Sequence, residues 1–179
     1  MSIFREKPLV LVLGGARSGK SELALRYTEE HFESTLFLAT ARILDDEIME
    51  RVRLHRAARG PNWHLMEEPI EIPRVLKTEC AGFHAVLVDC LTVWLSNIMI
   101  EKGEDNAGLY VDQLLDALST RNQAVVLVSN EVGMGIVPES PLGRTFRDMA
   151  GSLNQKVAAL ADKVVFTVAG IPTFIKGAP

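Results

Sequence analysis

Residues 8–21 read Pro-Leu-Val-Leu-Val-Leu-Gly-Gly-Ala-Arg-Ser-Gly-Lys-Ser, an apolar run that ends in glycines and a Gly-Lys-Ser triplet. An uninterrupted apolar run is typical of a strand that is buried on both faces of a parallel sheet. The segment from Gly14 to Ser21 matches the pattern GxxxxGK[ST] and leads into a stretch with helical spacing. Strand, glycine-rich loop and helix in this order predict a loop whose backbone N–H groups bind phosphate.

Each residue type in this loop has an expected role. The glycines let successive N–H groups turn towards phosphate oxygens, and the positive end of the helix dipole adds to the attraction. Lys20 is expected to reach the β- and γ-phosphates of a nucleotide, and the Ser21 hydroxyl to bind Mg²⁺. A glycine-rich turn without a ligand is the structural alternative, which the complete match in this context disfavours. The predicted nucleotide-binding residues are Gly14, Gly15, Ala16, Arg17, Ser18, Gly19, Lys20 and Ser21.

Further apolar runs alternate with segments of helical spacing along the chain. Strands are predicted at residues 8–13, 35–39, 85–90, 124–129 and 163–168, and helices at about 20–30, 45–58, 92–119 with a break near Gly103, and 142–161. This order predicts an α/β fold, a mostly parallel sheet with helices on both faces. Pro172 suits an edge strand, so the C-terminus is expected to return as one antiparallel edge strand.

Length and composition limit the class of protein. The 179 residues suit a single domain over 1–179, and 47% hydrophobic with 23% charged residues is typical of a globular chain. The 19 Lys and Arg against 23 Asp and Glu leave a formal net charge of -4. This balance predicts no general attraction for nucleic acid or an anionic membrane. Two cysteines outside a CxxC spacing argue against a disulfide framework or a zinc site.

The apolar segments also bear on location. The first apolar run is short and leads into glycines rather than a cleavage site, so it is expected to be a strand and not a signal peptide. No apolar run approaches the length of a transmembrane helix, so no membrane insertion is expected. We therefore expect a cytoplasmic protein.

Polar residues end two of the predicted strands. The run Val86-Leu87-Val88 ends at Asp89, and the fourth run ends in Ser129-Asn130-Glu131. Ligands of α/β proteins bind at the carboxyl ends of the parallel strands. Asp89 is therefore a candidate Mg²⁺ ligand beside the phosphate-binding loop, and a capping or loop carboxylate is the alternative.

A histidine lies among arginines in residues 44–59, which read LDDEIMERVRLHRAAR. Acidic residues at the start and arginines at the end are the polarity that a helix dipole favours, so a solvated helix is one interpretation. Ile48, Val52 and His55 follow an i, i+4, i+7 spacing, which places His55 on an inward-facing stripe. The four arginines around it call for an anion such as a nucleotide phosphate. Nearby cations disfavour the imidazolium, so His55 is expected to be neutral and nucleophilic.

The last predicted helix combines an apolar stripe with polar neighbours. The stripe consists of Phe146, Met149, Leu153, Val157 and Leu160. Their spacing predicts core or interface positions. Arg144, Arg147 and Asn154 lie off the stripe, and we expect them to face a substrate or a neighbouring subunit, with a plain exposed helix face as the equal alternative.

Nearly end to end, the sequence resembles the bifunctional adenosylcobinamide kinase and adenosylcobinamide-phosphate guanylyltransferase family of cobalamin biosynthesis. Four motifs carry the resemblance: GGARSGKS at 14–21, ATARILDDE at 39–47 leading to His55, NEVGMGIVPE at 130–139 and FRDMAGSLNQKVA at 146–158. The last two are far more specific than the first, which many unrelated NTPases share. The resemblance implies a P-loop, RecA-like fold and a homotrimer in which neighbouring subunits build the cobinamide pocket.

The resemblance implies two reactions on one scaffold. In the first, the hydroxyl of the aminopropanol arm of adenosylcobinamide takes the γ-phosphoryl group of ATP or GTP. In the second, the family's histidine, matched by His55, attacks the α-phosphorus of GTP, expels pyrophosphate and holds GMP as a phosphoramidate. Adenosylcobinamide phosphate then takes the GMP and becomes adenosylcobinamide-GDP. A covalent intermediate divides one difficult displacement into two easier ones.

The resemblance also implies which residues act. Lys20 and His55 would be catalytic, and Ser21 and Asp89 would hold Mg²⁺. Further nucleotide contacts would come from Ala39, Thr40, Ala41, Arg56, Ala57, Ala58, Arg59, Glu67 and Asp89. A surface carboxylate is the alternative for Glu67. Some family members have two consecutive histidines where this chain has Leu54-His55, and some have Glu in place of Asp89.

Two other functions stay open at this point. The chain could be a monofunctional P-loop kinase of a small molecule, in which His55 would be structural. It could also be a binding protein that a nucleotide switches without productive catalysis. His55 with its arginines favours the bifunctional transferase, because neither alternative needs a histidine there.

Overall fold

The computed structural model describes residues 7–42 and 63–178. The predicted helix over 45–58 lies outside these described residues, and so do His55 and the segment from Arg56 to Arg59. Seven strands are present in the described part: β1 Leu9–Gly14, β2 Thr35–Ala39, β3 Trp63–Glu67, β4 Ala85–Asp89, β5 Ala124–Asn130, β6 Lys163–Val168 and β7 Ile171–Lys176. The helices there are α1 Lys20–His31, α2 Ile72–Thr78, α3 Leu91–Lys102, α4 Glu104–Ser119 and α5 Pro141–Leu160.

All seven strands form one sheet in the order β3-β2-β4-β5-β1-β6-β7. Every neighbouring pair is parallel except β6 with β7, which is antiparallel. Pro172 lies in β7 at the sheet edge, opposite Thr167 of β6. A strand at an edge needs hydrogen bonds on one side only, which accommodates proline. The predicted mostly parallel sheet with an antiparallel C-terminal edge strand is confirmed.

The core lies on both faces of the sheet. Because successive side chains of a strand point to opposite faces, β1 divides its residues between two apolar clusters. Leu9 and Leu11 pack on the face covered by α2, α3, α4 and α5, and Val10 and Val12 pack on the face covered by α1. The central strands are therefore buried on both sides, which is why their sequences are continuous apolar runs.

The helices follow the predicted ones except for α2. The predicted break near Gly103 separates α3 from α4, since Gly103 adopts a φ of 86° between them. Helix α2 was not predicted at all. It has only seven residues, with Pro73 in its first turn, which is too short for an amphipathic period to emerge. Within the described ranges, no helix has the length and apolar content that crossing a membrane requires.

This topology brings several chain segments to one edge of the sheet. Strands β1, β2, β3, β4 and β5 run parallel, so their carboxyl ends lie side by side. The described candidate residues lie at the ends of these strands or directly after them, namely Gly14 to Ser21, Ala39 to Ala41, Glu67 and Asp89. The edge formed by these carboxyl ends is called the nucleotide edge below.

Candidate functional site

The phosphate-binding loop is a tightly packed turn between β1 and α1. A Cβ atom on Gly14 would lie 2.4 Å from the carbonyl oxygen of Thr167 and 2.6 Å from the Ser18 Oγ. Gly19 caps α1 in a left-handed conformation with a φ of 91°. The N–H of Gly170, in the turn between β6 and β7, donates to the Ser18 carbonyl at 2.9 Å. Gly14 and Gly19 are therefore required by the packing of the loop against β6 and its turn.

Lys20 lies folded over this loop. Its side chain is 6% exposed, and its ammonium group donates to the Gly15 carbonyl and to the Ser18 Oγ. Burial lowers the pKa of Lys20, and nearby Cys90 and Asp89 act in the opposite direction. The lysine predicted to bind phosphate is thus buried near the predicted metal carboxylate, and the loop itself accepts two of its hydrogen bonds.

Thr40 joins the ends of β2 and β4 at the nucleotide edge. It is fully buried, and its N–H donates to the Asp89 carbonyl at 3.1 Å. Its hydroxyl accepts from the Cys90 N–H at 2.7 Å and donates to the Cys90 carbonyl at 2.8 Å. The Asn97 amide of α3 donates in turn to the Thr40 carbonyl at 2.9 Å. The Thr40 side chain therefore positions the backbone that carries Asp89.

Cys90 follows Asp89 directly and is partly buried. Burial raises its pKa to about 11, with a smaller contribution from the charge of Asp89. The thiol donates to the Thr92 Oγ1 at 3.7 Å. A thiol with so high a pKa is a poor nucleophile at neutral pH. Chemistry at this edge therefore falls to other residues.

Ala39 lies between two candidate carboxylates. In the register of the sheet it pairs with Glu67 of β3 on one side and with Asp89 of β4 on the other. Glu67 is exposed, and the N–H of Glu68 donates to the Ala39 carbonyl at 2.9 Å. The predicted contacts Ala39, Thr40, Ala41, Glu67 and Asp89 therefore share one edge with the phosphate-binding loop.

Two oxygen donors at this edge suit Mg²⁺. Ser21 lies in the first turn of α1, one residue after Lys20, and the charge of Asp89 acts on the Lys20 ammonium. Across 7–42 and 63–178, no group of three or more His, Cys, Asp or Glu is arranged to hold a metal ion. A serine hydroxyl and a carboxylate fit Mg²⁺, which prefers oxygen ligands, keeps several waters and takes further ligands from substrate phosphates.

The end of β5 connects the phosphate-binding loop to α5. The Glu131 N–H donates to the Gly14 carbonyl at 3.0 Å. The Asn130 N–H donates to the Thr92 Oγ1 at 2.8 Å, and the Asn154 amide of α5 donates to the Asn130 carbonyl at 3.1 Å. The polar residues that the sequence indicated after the fourth strand therefore lie beside the loop.

A cleft of about 700 Å³ opens between α5 and the segment after β5. Its lining includes Leu13, Glu131, Met134, Arg147, Gly151 and Asn154. We call this the α5 cleft. Of the three residues off the apolar stripe of α5, Arg147 and Asn154 face the cleft, whereas Arg144 donates to the carbonyls of Pro138 and Glu139. Sequence spacing indicated the polar face of α5 but not the cleft.

The sheet order and the phosphate-binding loop together define a P-loop nucleotide-binding protein with a RecA-like fold. The RadB recombinase shares this fold, with a TM-score of 0.54 and 16% identity over 89% of this chain and 74% of that one. A structure described as a structural study of Project ID PH0250 from Pyrococcus horikoshii OT3 has a TM-score of 0.52 and 10% identity over 99% and 90%. At such low identity the likeness concerns the fold alone.

Residues 10–175 match the family described as cobinamide kinase / cobinamide phosphate guanyltransferase. The bifunctional adenosylcobalamin biosynthesis protein CobP of Pseudomonas aeruginosa is 41% identical over 169 residues, or 94% of this chain and 98% of that protein. The bifunctional adenosylcobalamin biosynthesis protein CobU of Escherichia coli K12 is 37% identical over 181 residues, 94% and 99% of the two chains. Salmonella typhimurium CobU is 39% identical over the same length. The chain belongs to this family of enzymes, and the resemblance drawn from its motifs is confirmed.

Proposed function

We propose that this chain phosphorylates adenosylcobinamide with ATP or GTP and then transfers GMP from GTP to adenosylcobinamide phosphate. The family match along residues 10–175 carries this proposal. The relatives' names describe bifunctional proteins of adenosylcobalamin biosynthesis. The buried lysine of an intact phosphate-binding loop supports nucleotide binding at this edge.

In the kinase reaction, the hydroxyl oxygen of the aminopropanol arm attacks the γ-phosphorus, its proton is released, and ADP or GDP departs. Lys20 would exchange its hydrogen bonds to the loop for bonds to the phosphate oxygens, because an ammonium binds these more strongly than a carbonyl. The loop N–H groups and the N-terminus of α1 would hold the same phosphates. Positioning and charge neutralisation of this kind account for most phosphoryl-transfer catalysis.

Ser21 and Asp89 are the residues we assign to Mg²⁺. These two residues would hold the ion, and when bound it would supply positive charge to the phosphates. Thr40 supports this assignment, since its three hydrogen bonds fix the backbone of Asp89 and Cys90. Ala39, Ala41 and Glu67 would contact the nucleotide from the neighbouring strands.

In the guanylyl transfer, a nitrogen of His55 would attack the α-phosphorus of GTP, form a P–N bond and release pyrophosphate. The phosphate oxygen of adenosylcobinamide phosphate would then break the P–N bond and take GMP. The segment from Arg56 to Arg59 would bind the phosphates. The spacing of His55 among four arginines supports this role, and a neutral imidazole is the form that can act as a nucleophile.

We further propose a cytoplasmic homotrimer with Mg²⁺ and either nucleotide as substrate. The loop between β5 and α5 supports an interface, because Met134 is 78% exposed and Ile136 is 96% exposed. Apolar side chains clustered on a loop are often covered by another protein surface.

Labelling with GTP that carries a labelled α-phosphate tests this function. With Mg²⁺, we expect label on the denatured protein that is labile to acid, stable to alkali and absent in His55→Ala. His31→Ala is the matched control, because His31 is exposed at the end of α1 and hydrogen-bonded to the Tyr27 carbonyl. Label that persists in His55→Ala would remove the role of His55. Wild-type protein that phosphorylates adenosylcobinamide but takes no label would be a kinase alone.

A further inference from the structure

The turn between β6 and β7 has a backbone conformation that alanine disfavours. Val168 pairs with Ile171, so Ala169 and Gly170 alone form the turn. Both are left-handed, with a φ of 51° at Ala169 and of 80° at Gly170. Positive φ at both central residues is what a tight hairpin turn of type I′ requires, but alanine rarely adopts it. Such a conformation persists where neighbouring contacts hold it in place.

The contacts of this turn are made with the phosphate-binding loop. The Gly170 N–H donates to the Ser18 carbonyl at 2.9 Å. A Cβ atom on Gly19 would lie 3.1 Å from the Gly170 Cα, and one on Gly14 would lie 2.4 Å from the Thr167 carbonyl oxygen. The end of β6 and the turn therefore contact the loop at its first glycine and at the residues that lead into α1.

The hydrogen bond from Gly170 sets the direction of one N–H group of the loop. The peptide between Ser18 and Gly19 is trans, and in a planar trans peptide the C=O and the N–H point in opposite directions. Because the Ser18 carbonyl is directed at Gly170, the Gly19 N–H is directed away from the turn. Gly19 lies at the N-terminus of α1, among the N–H groups that are predicted to bind phosphate.

Without this bond the peptide between Ser18 and Gly19 could turn over. Gly19 has no Cβ, so sterics do not restrict its φ to one sign. An inverted peptide would withdraw the Gly19 N–H and present the Ser18 carbonyl oxygen to the phosphate. Carbonyl and phosphate oxygens are both acceptors, so they would repel each other. A single inverted peptide would therefore remove a donor from the loop and add a repulsive oxygen.

We infer that Gly170 is a positioning residue for nucleotide binding, whose N–H holds the Ser18 carbonyl so that the Gly19 N–H faces the phosphates. The inference rests on the proposed function, since it concerns the nucleotide that both proposed reactions use. Gly170 acts through Ser18 and need not touch the nucleotide itself. The phosphate-binding loop thus depends on a turn near the other end of the chain.

Three changes at Gly170 separate its hydrogen-bond donor from its backbone conformation. Replacement by glycolic acid, the matching α-hydroxy acid, turns the N–H into an ester oxygen and adds no side chain. Gly170→Val keeps the N–H but opposes a positive φ, which β-branched residues avoid. Gly170→Asn is the conservative variant, because asparagine tolerates the left-handed conformation and a Cβ atom at this position meets no atom within 4 Å.

Gly82→Val is the matched control for Gly170→Val. Gly82 also has a positive φ, of 100°, and a Cβ atom there also meets no atom within 4 Å. It lies in the turn before β4, outside the phosphate-binding loop and the hairpin of β6 and β7. The control therefore introduces the same backbone strain without touching the bond to Ser18.

Equilibrium dialysis with labelled GDP and Mg²⁺, without any acceptor, measures the effect on nucleotide binding. We expect the Kd for GDP to rise about tenfold or more in the ester variant and in Gly170→Val, as for the loss of a hydrogen bond to a charged group. The Kd should stay within about threefold of wild type in Gly170→Asn and Gly82→Val. In protein labelled with ¹⁵N-glycine, GDP should shift the Gly19 amide signal strongly in wild type and much less in the ester variant. A general loss of stability would not produce that difference.

The possible results separate this inference from the proposed function. An unchanged Kd for GDP in the ester variant would overturn the positioning role of Gly170. Equal losses of affinity in Gly170→Val and Gly82→Val would also overturn it, because the loss would then reflect backbone strain in general. If the variants differ as expected but wild type phosphorylates no adenosylcobinamide, the proposed function falls and the positioning role stands. Wild type that binds no GDP would overturn both.

Discussion

Lys20 and Thr40 at the nucleotide edge and Asn154 beside the α5 cleft satisfy their polar atoms in opposite ways. At the nucleotide edge, Lys20 already has hydrogen-bond partners in the loop, and Thr40 uses its N–H and its hydroxyl to hold the backbone at Asp89 and Cys90. Beside the cleft, the Asn154 Oδ1 is buried and without a partner among the described residues.

The difference fits the role that we assign to the nucleotide edge. Nucleotide phosphates are small and uniform, so a rigid cradle that is complete in advance binds them at little cost in ordering. The bond from the Gly170 N–H to the Ser18 carbonyl adds to this cradle. Asn154, in contrast, carries the cost of a buried acceptor without a partner.

Replacement of the phosphate-binding lysine is expected to lower activity at the nucleotide edge more than any other change considered. Lys20→Ala is expected to lower kcat/KM of the kinase reaction about a thousandfold, as removal of a preorganised charge from a transition state does. The loss is measured by assaying phosphorylation of adenosylcobinamide and covalent labelling of the protein by labelled GTP. Lys156→Ala is the control, because Lys156 is an exposed lysine on α5. Guanylylation at the wild-type rate in Lys20→Ala would show that the two activities do not share the loop.

Adding a methyl group at Gly14 tests how closely the phosphate-binding loop is packed. Gly14→Ala places a methyl group 2.4 Å from the Thr167 carbonyl oxygen, so backbone must move. We expect the free energy of unfolding to fall by about 2–3 kcal/mol, as overpacking costs, in chemical denaturation.

The neighbouring glycine provides the control for this change. A Cβ atom on Gly15 meets no atom within 4 Å, so Gly15→Ala should change the free energy of unfolding by less than about 0.5 kcal/mol. If Gly14→Ala and wild type had the same free energy of unfolding, the loop would accommodate a methyl group at Gly14. The tight packing that we assign to the loop would then be wrong.

The sequence predicted the nucleotide side much better than the cleft, for a physical reason. The loop from Gly14 to Ser21 is contiguous, and its chemistry requires fixed residue types at fixed spacing. The continuous apolar runs and Pro172 likewise carry the strand pattern and the edge strand within short windows. Local sequence therefore predicted both the mostly parallel sheet and the phosphate-binding loop.

The rest depends on contacts between distant parts of the chain. In the sequence, Asn154 is one of several polar residues on an amphipathic helix. Its hydrogen bond to the Asn130 carbonyl depends on how α5 packs against the end of β5. Thr40 was implied as a nucleotide contact by resemblance, whereas its bridge to Cys90 requires β2 and β4 to be neighbours. Helix α2 escaped prediction because seven residues are too few for a period. The spacing of residues within one segment does not predict contacts between distant segments.

The smallest expected effect concerns the Cys90 thiol at the nucleotide edge. Burial raises its pKa from 9.0 to about 11. Below pH 9 the thiol is protonated in both folded and unfolded chains, so it does not alter stability. Between pH 9 and 11 the unfolded chain ionises first, and stability is lost as the pH rises. At pH 10 this loss is about 1 kcal/mol for a shift of this size.

Denaturation of wild type and Cys90→Ala at pH 8 and pH 10 measures the contribution of this thiol. We expect wild type to lose about 1 kcal/mol more than the variant over this interval. The comparison between two proteins is needed because the pKa of the buried Cys80 is raised to about 11 as well. Equal losses in the two proteins would mean that water reaches Cys90 in solution. The nucleotide edge would then be as open as the α5 cleft, and the rigidity that we assign to the phosphate side would have to come from bound nucleotide.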